Sequence, residues 1–325
     1  MGAKIVGTGH YLPQKRLTNA DLERMIDTSN EWIVRRSGIR TRFHLKPDED
    51  PAIMGIEASK QALTLAHLTP KEVDLLVVAT NFPDMICPGS APFIATGLGF
   101  DQTPFFDLKA GCSGFIYGLV VANGLINSGV YSHILLVGSE ALSRVIDWSD
   151  RKTCVLFGDG AGAAVLEPAP KGEGILGSAL YGDHTKALLL RVPAGGTKTP
   201  TSQETLDLQM HTLKMEGAGV YRSAVPMMER ATHEALAAAG VRRSDVDWLI
   251  PHQANIRIIN SLVRRLKFDR KQVIVNLDRV ANTSTASIPI AFDEALRSGK
   301  IKPGDLLVLT AFGAGATYGA VVLRA

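Results

Sequence analysis

The chain has 325 residues, of which 46% are hydrophobic and 21% charged, a composition typical of a globular protein with a large core. At about 150 residues per domain, this length predicts two domains or two structural halves. The net charge of +3 is too small to indicate a nucleic-acid partner, and three widely spaced cysteines exclude a disulfide framework.

The chain begins with a strand-like stretch and not with a targeting segment. Residues 1–6 lack the long apolar core of a signal peptide, and Val6 stands where a myristoylation signal has Ser or Thr. Since the sequence has no run of about 18 apolar residues, it predicts neither a membrane span nor a membrane partner. We therefore expect a cytoplasmic protein.

The first half of the chain alternates helix-like segments with buried, strand-like ones. In chain order these are a helix at 56–68, a strand at 73–80, a strand-to-turn segment at 106–112, a helix ending at 128–129, a strand at 133–137, a Gly-rich corner at 157–162 and a final strand at 163–166. Such alternation predicts layered α/β architecture with mixed or parallel sheets that are covered on both faces.

The second half repeats the same order of elements. They are a helix at 228–239, a strand at 246–253, a segment at 276–282, a helix ending at 298–299, a strand at 305–309, a corner at 312–315 and a final strand at 319–323. Equivalent segments lie 170 to 173 positions apart, which indicates a duplication. We therefore predict pseudo-symmetric halves at 1–170 and 216–325, joined by crossing loops over 171–215.

Cys112 lies in a predicted strand-to-helix turn, with Ala110-Gly111 before it and Ser113-Gly114 after it. Such a turn places the sulfur at a helix N-terminus, where free N–H groups and the helix dipole stabilise a thiolate. The alternative is an inert buried thiol, an interpretation that we apply to Cys154 in its apolar run.

Two polar residues of the second half stand at equivalent turns. His252 follows a predicted strand, and Asn282 superimposes on Cys112 in the repeat. Since α/β sheets build their sites at strand exits, we expect these side chains near Cys112, although Asn282 alone would equally suit a helix cap. The eight His form no cluster with ligand spacing, so we predict no metal site.

A papain-like cysteine hydrolase is a rival interpretation of these three residues. It also uses Cys, His and Asn in that chain order, and the separation of 140 positions between Cys112 and His252 fits its spacing. The sequence context of the protease cysteine is absent, and Cys112 lies far from the N-terminus. These departures disfavour the hydrolase.

A set of short motifs spread along the whole chain carries a family resemblance. They are Gly7-Thr8-Gly9, Asp27 to Ile33, Ser37 to Arg40, Gly111 to Phe115, Asp150-Arg151, Phe157 to Ala161, His252 to Asn255 and Asn282 to Ser284. With these motifs the chain resembles the β-ketoacyl-[acyl carrier protein] synthase III family. The resemblance implies the thiolase fold, a duplicated five-layer αβαβα arrangement with mixed sheets, usually as a homodimer.

The resemblance also implies the chemistry of the site. It assigns Cys112, His252 and Asn282 as the catalytic triad, with Cys112 accepting the acyl group of a primer acyl-CoA. His252 and Asn282 then stabilise the enolate that forms when malonyl-[acyl carrier protein] loses carbon dioxide. The backbone N–H groups of Cys112 and Ala314 form the oxyanion hole. No cofactor and no metal are implied.

The same resemblance assigns a site for coenzyme A. Trp32 is expected to stack on its adenine, Arg36 and Arg151 to bind its phosphates, and Gly217 to contact it. Ala218 departs from the family pattern, which often has Asn at this position, and Ala314 stands where Gly is common.

Carrier docking and primer choice are assigned to two further groups. Arg257, Arg264 and Arg265 fall on one helical face after His252 and suit the acidic acyl carrier protein. Cys87 stands where many members place a bulky aromatic residue that lines the primer pocket across the dimer interface. The smaller side chain would permit a longer or unusual acyl primer.

Three functions follow from these observations. The first is the decarboxylating condensation of a primer acyl-CoA with malonyl-[acyl carrier protein] that initiates fatty acid synthesis. The second is a specialised condensing enzyme that uses a longer or unusual primer for a secondary metabolite or a cofactor precursor. A non-catalytic protein that binds acyl carriers is a remote third, because all three residues of the triad are present.

Overall fold

The computed structural model describes residues 2–325. Its strands are β1 (Gly2–Tyr11), β2 (Lys15–Thr18), β3 (Thr41–His44), β4 (Leu75–Ala79), β5 (Phe105–Leu108), β6 (Ile134–Glu140), β7 (Gly160–Ala169), β8 (Gly174–Gly182), β9 (Leu190–Arg191), β10 (Lys214–Met215), β11 (Trp248–Pro251), β12 (Leu306–Phe312) and β13 (Thr317–Arg324). Its helices are α1 (Asn19–Glu23), α2 (Asn30–Ser37), α3 (Ala52–Ala66), α4 (Ala91–Leu98), α5 (Gly114–Asn127), α6 (Gln203–Asp207), α7 (Gly217–Ala239), α8 (Ile256–Leu266), α9 (Leu277–Val280) and α10 (Ser287–Arg297).

The two large sheets have matching topology. The N-terminal sheet has the spatial order β1, β7, β6, β4, β5, and the C-terminal sheet has β8, β13, β12, β11. In the N-terminal sheet β6 and β4 pair parallel, as do β12 and β11 in the C-terminal sheet. β5 also pairs parallel with β4, and the remaining pairs of both sheets are antiparallel. The place of β5 is taken in the C-terminal sheet by a single bridge between Leu249 and Val273. This match confirms the predicted duplication.

Five layers result because both sheets are buried on both faces. Helices α3 and α4 cover the outer face of the N-terminal sheet, α5 and α10 lie between the sheets, and α7 and α8 cover the outer face of the C-terminal sheet. Along β12, Leu306 and Val308 pack under α7 and α8, whereas Leu307 and Leu309 pack against the central helices. This alternation follows from the period of two along a strand. The predicted αβαβα thiolase arrangement is therefore confirmed.

The prediction that 171–215 consists of crossing loops is wrong for its first part. Residues 174–182 form β8, the edge strand of the C-terminal sheet, which pairs with β13. Three glycines and mostly half-buried side chains hide this strand from a search for buried apolar runs. The remaining crossing segment carries α6 and the short pair β9 and β10.

Two other elements differ from expectation. The segment at 276–282, which we matched to β5 and its turn, contains the short helix α9 and no strand. Helix α7 begins eleven positions before the predicted start at 228 and continues through Pro226. A proline inside a helix normally argues for a boundary, which is why the pattern placed the start too late.

Helix α2 is joined closely to α8, and this contact positions the entrance of the site. Gly38 ends α2 in the left-handed conformation with φ of 83°, and a Cβ atom there would lie 2.7 Å from the Cβ of Ile256, the first residue of α8. The side-chain amide of Asn255 also donates to the Arg36 carbonyl oxygen at 3.0 Å.

Within residues 2–325, no helix is both long and apolar enough to cross a bilayer.

Candidate active site

Cys112 lies between β5 and α5, where two glycine-containing loops press together. Gly111 has a φ of 58°, and a Cβ atom on it would lie 2.4 Å from the backbone nitrogen of Ala314. A Cβ atom on Gly313 would lie 2.3 Å from the backbone nitrogen of Cys112. Only glycine permits this approach, which places the backbone of Ala314 beside the Cys112 sulfur.

The Cys112 thiol is buried, and its burial raises its pKa to about 11. The Ser284 hydroxyl, 3.4 Å from Sγ, and the N–H groups of Ala314 and Cys112 act in the opposite direction, whereas the Glu140 carboxylate raises the pKa further. The helix N-terminus expected from the sequence is present, but desolvation outweighs it. The resting group is therefore a thiol.

His252 follows β11 directly, at the predicted strand exit. Its backbone N–H donates to the Thr310 carbonyl oxygen at 2.8 Å, and its Nδ1 lies 2.6 Å from the Ser287 hydroxyl. Burial lowers the pKa of the imidazole to about 3, so the ring is neutral. Within residues 2–325 its Nε2 atom makes no hydrogen bond, and His252 lines the cavity described below.

Asn282 is held with its amide group in one orientation. Its Oδ1 accepts the backbone N–H of Ser284 at 2.8 Å. The helix-cap alternative is wrong, because Thr283 and not Asn282 is the N-cap residue of the short helical turn at Ser284–Ala286. Ser284 and Ala281 both have positive φ, 52° and 65°, so this turn is a strained backbone held by its surroundings. With Oδ1 occupied, the Nδ2 donors of Asn282 are free to face a ligand.

The three predicted triad residues line one cavity of about 620 Å³. Apolar side chains form much of its wall: Ile33, Val155, Leu156, Phe157, Leu190, Met215, Ala224, Met228, Ile258 and Phe312. Cys112 comes from the N-terminal half, and His252 and Asn282 come from the C-terminal half. The cavity thus lies where the two halves of the duplicated fold meet.

Trp32 and two arginines form one wall near the entrance. The guanidinium carbon of Arg36 lies 4.9 Å from the Trp32 ring centroid, and that of Arg151 lies 5.3 Å from it. Trp32, Arg36 and Gly217 line the cavity, whereas Arg151 does not and donates to the Asp27 carbonyl oxygen at 2.9 Å. The sequence interpretation missed Lys152, which does line the cavity.

The predicted basic face of α8 divides into three different environments. Arg257 lines the cavity, with its guanidinium carbon 5.8 Å from the Tyr221 ring centroid. Arg264 is exposed and donates to the Ser261 hydroxyl at 3.3 Å. Arg265 is paired with Glu229 at 2.6 Å, so it is not a free cation as the helical spacing suggested.

Cys87 does not line the cavity of its own chain. It lies on an exposed loop beside Ile86, whose side chain is 88% exposed. Cys154 is buried, as predicted. Phe105 and Phe106 of the edge strand β5 are also exposed, so apolar side chains gather on this side of the N-terminal sheet.

The sequence interpretation missed two residues that contact the triad, Ser284 and Ser287, and a third, Glu140, that contacts Ser284. Ser284 and Ser287 lie two and five positions after Asn282 and could have been found as hydroxyls in the same turn. Glu140, at the end of β6, gives no such signal, yet its buried carboxyl lies 3.1 Å from the Ser284 hydroxyl. Burial raises the pKa of Glu140 to about 7.

Over residues 2–325, no group of three or more His, Cys, Asp or Glu is arranged to hold a metal ion.

Comparison with known proteins gives consistent relatives over the whole chain. Two family models match, 3-oxoacyl-[acyl-carrier-protein (ACP)] synthase III over residues 106–184 and its C-terminal counterpart over residues 236–325. The β-ketoacyl-[acyl-carrier-protein] synthase III of Caldanaerobacter subterraneus subsp. tengcongensis is 48% identical over 324 residues, which cover 100% of this chain and 98% of that relative.

Solved structures give the same result. The crystal structure of 3-oxoacyl-[acyl-carrier-protein] synthase III from Aquifex aeolicus VF5 has a TM-score of 0.92 and 42% identity, with 100% of both chains covered. The priming β-ketosynthase of the R1128 polyketide biosynthetic pathway has a TM-score of 0.91 and 37% identity, covering 99% of this chain and 96% of that one.

Proposed function

The chain belongs to the β-ketoacyl-[acyl-carrier-protein] synthase III family of acyl-transferring condensing enzymes, and we propose that it works through an acyl-Cys112 intermediate. The reaction is the condensation of a primer acyl-CoA with malonyl-[acyl carrier protein], which initiates fatty acid synthesis. The observation that carries the proposal is the meeting of Cys112, His252 and Asn282 on one cavity between the two halves.

In the first half-reaction, Cys112 takes the acyl group from acyl-CoA. The thiol loses its proton, its sulfur attacks the thioester carbonyl carbon, and the bond from that carbon to the sulfur of coenzyme A breaks. The carbonyl oxygen becomes an oxyanion, which the N–H groups of Cys112 and Ala314 stabilise. Both N–H groups are directed at the Cys112 sulfur and lower the pKa of its thiol, which supports this assignment. The departing thiolate of coenzyme A takes up one proton.

In the second half-reaction, malonyl-[acyl carrier protein] loses carbon dioxide. The electron pair of the broken bond remains on the thioester as an enolate, whose oxygen accepts hydrogen bonds from His252 and Asn282. A neutral imidazole can donate from one nitrogen, and burial keeps His252 neutral. The enolate carbon attacks the acyl group on Cys112. The new carbon–carbon bond forms, and the Cys112 sulfur leaves and regains a proton.

Coenzyme A and the carrier protein enter by the same mouth. Trp32 offers an aromatic ring, with the guanidinium groups of Arg36 and Arg151 beside it for the phosphates, and Gly217 also lines the cavity. Arg257, at the cavity, is the best-placed cation for the acidic carrier protein. Arg264 extends the basic surface, and Arg265 contributes less because Glu229 neutralises it.

Since all three cysteines are free, we place the enzyme in the reducing cytoplasm.

We also propose that the enzyme is a homodimer whose interface includes the edge strand β5. An unpaired edge strand with exposed aromatic side chains is a ready surface for pairing with a second copy. In that arrangement Cys87 would reach the primer pocket of the partner subunit, in keeping with the family pattern.

A specialised primer is the second candidate function. The similarity to a priming β-ketosynthase of a polyketide pathway and the small Cys87 side chain both favour it. A shorter side chain at the end of a pocket leaves room for a longer acyl chain.

Product analysis separates these two functions. The protein is incubated with malonyl-[acyl carrier protein] and, in separate reactions, with acetyl-CoA and with linear and branched acyl-CoAs of increasing length. The 3-oxoacyl-[acyl carrier protein] formed is measured by mass spectrometry. Preference for acetyl-CoA would assign bulk fatty acid synthesis, and preference for long or branched primers would assign the specialised role. Absence of product from every primer would contradict both.

A further inference from the structure

The imidazole of His252 is held from behind by one side chain. Ser287, the first residue of α10, places its hydroxyl oxygen 2.6 Å from Nδ1, and both side chains are buried. The adjacent backbone N–H of Gln253 donates to the same hydroxyl oxygen at 3.3 Å. The Ser287 hydroxyl is therefore hydrogen-bonded both to the His252 ring and to the backbone of the next residue, Gln253.

The hydrogen bonds of this group can be satisfied in only one arrangement. The Ser287 oxygen already accepts from Gln253, and among residues 2–325 the only acceptor hydrogen-bonded to its proton is His252 Nδ1. If Nδ1 carried a proton, it would donate to the hydroxyl, and the serine proton would be left buried without an acceptor. A buried donor without a partner is costly, so Nδ1 accepts and the ring proton is on Nε2.

The loop around His252 cannot easily relax to another arrangement. The side-chain amide of Gln253 donates to the carbonyl oxygens of Pro251 at 2.7 Å and Ile274 at 3.3 Å. Its Oε1 accepts the backbone N–H of Asn276 at 3.2 Å. With both polar atoms of the Gln253 side chain engaged, the Gln253 N–H stays directed at Ser287.

We propose that Ser287 is a positioning residue that fixes His252 as its Nε2–H tautomer. This inference rests on the proposed function, because the Nε2–H group is the one that donates to the enolate oxygen in the second half-reaction. In the other tautomer, the nitrogen that faces the cavity would be an acceptor and would repel the enolate. The acylation of Cys112 needs no donor from His252, so Ser287 serves only the malonyl half-reaction.

The test measures the two half-reactions separately in wild type and Ser287→Ala. Cys112 acylation by acyl-CoA is followed by intact mass, and decarboxylation is followed with malonyl-[acyl carrier protein]. We expect the S287A decarboxylation rate to fall about 10- to 100-fold, the range typical for residues that orient a functional imidazole, with acylation within about twofold of wild type. Ser59→Ala is the control, since Ser59 is a buried serine of α3 whose hydroxyl has no hydrogen-bond partner.

A spectroscopic measurement on wild type keeps the proposal testable even where S287A folds poorly. Long-range proton–nitrogen NMR of the protein labelled at histidine nitrogens, with the His252 signals assigned by their loss in His252→Asn, reports which ring nitrogen carries the proton. We expect Nε2–H in wild type and a tautomer mixture in S287A.

An Nδ1–H ring in wild type would overturn the proposal, as would an S287A protein whose two half-reactions fall together or do not fall. Failure of the proposed function looks different, because wild type itself would then form no acyl adduct and release no carbon dioxide.

Discussion

At the scale of single residues, the reactivity of Cys112 depends on the buried Glu140 carboxyl near its thiol. Cys112 is a thiol at rest because desolvation raises its pKa to about 11, and Glu140 adds to that rise when it is ionised. Burial also raises the pKa of Glu140, to about 7, so its charge develops near neutral pH. The reactivity of Cys112 is therefore linked to the protonation of Glu140.

Replacing this carboxyl should activate the thiol in alkaline solution. Glu140→Gln removes the anion, lowers the pKa of Cys112 and increases its thiolate fraction above pH 7. Below pH 7 the wild-type carboxyl is protonated, and the two proteins should converge. We expect alkylation of Cys112 by iodoacetamide, followed by peptide mass spectrometry, to be faster in E140Q than in wild type at pH 9, because the removed anion raises the pKa of the thiol.

The matched control for this change is another buried carboxyl. Asp293→Asn alters a residue of α10 that hydrogen bonds to Thr8 and His10, so it should leave the alkylation profile of Cys112 unchanged. Equal rates in E140Q and wild type over pH 6 to 9 would show that Glu140 does not act on Cys112.

At the scale of elements, the contact between Gly111 and Gly313 sets the geometry of the proposed oxyanion hole. Gly313→Ala would place a Cβ atom 2.3 Å from the Cys112 nitrogen, and both contacting groups are backbone that cannot turn aside. Since the two N–H donors belong to these loops, we expect acylation of Cys112 to slow by about 100-fold or more, the loss typical of one oxyanion-hole donor. The acylation rate by intact mass checks this expectation.

Gly124→Ala provides a control for the added methyl group. Gly124 lies in α5, where a Cβ atom meets nothing within 4 Å, so this change should leave acylation intact and stabilise the helix by about 1 kcal/mol. Acylation by G313A at the wild-type rate would refute the assigned oxyanion hole.

Elements also show how far the sequence alone could lead. The duplication could be predicted because β4, β6, β11 and β12 are apolar, buried strands and the equivalent segments recur in the same order 170 to 173 positions apart. β8 was missed because its glycines and half-buried side chains resemble a loop. The triad was found by its place at strand exits and by the family resemblance. Glu140 was not found, because it is 144 positions from Ser284 in the sequence and comes close to it only through tertiary packing.

At the scale of the whole molecule, the proposed chemistry requires both halves of the duplicated fold. In the proposed mechanism one half supplies the nucleophile and the other the enolate donors, while Arg36 of α2 and Arg257 of α8 line the same cavity. The overall charge of +3 hides this local concentration of cations. A carrier protein with an acidic surface would be attracted to this one region.

Arg257→Ala tests that surface in kinetic terms. We expect KM for malonyl-[acyl carrier protein] to rise about 10-fold, since a hydrogen bond or ion pair to a charged partner contributes about 1.5 kcal/mol, whereas kcat should change little. Lys71→Ala is the control, because Lys71 is an exposed cation that does not line the cavity. Equal KM values for R257A and wild type would remove Arg257 from the docking surface.

The acyl-Cys112 intermediate is the central claim, and intact-mass analysis of the acyl-enzyme tests it most directly. Wild type and Cys112→Ala are each incubated with the preferred acyl-CoA and then mixed with malonyl-[acyl carrier protein]. We predict that wild type gains the mass of one acyl group and loses it on addition of the malonyl substrate, with 3-oxoacyl-[acyl carrier protein] formed, whereas C112A gains nothing. An adduct of the same size on C112A, or a wild-type adduct that persists after malonyl-[acyl carrier protein] is added, would contradict the account.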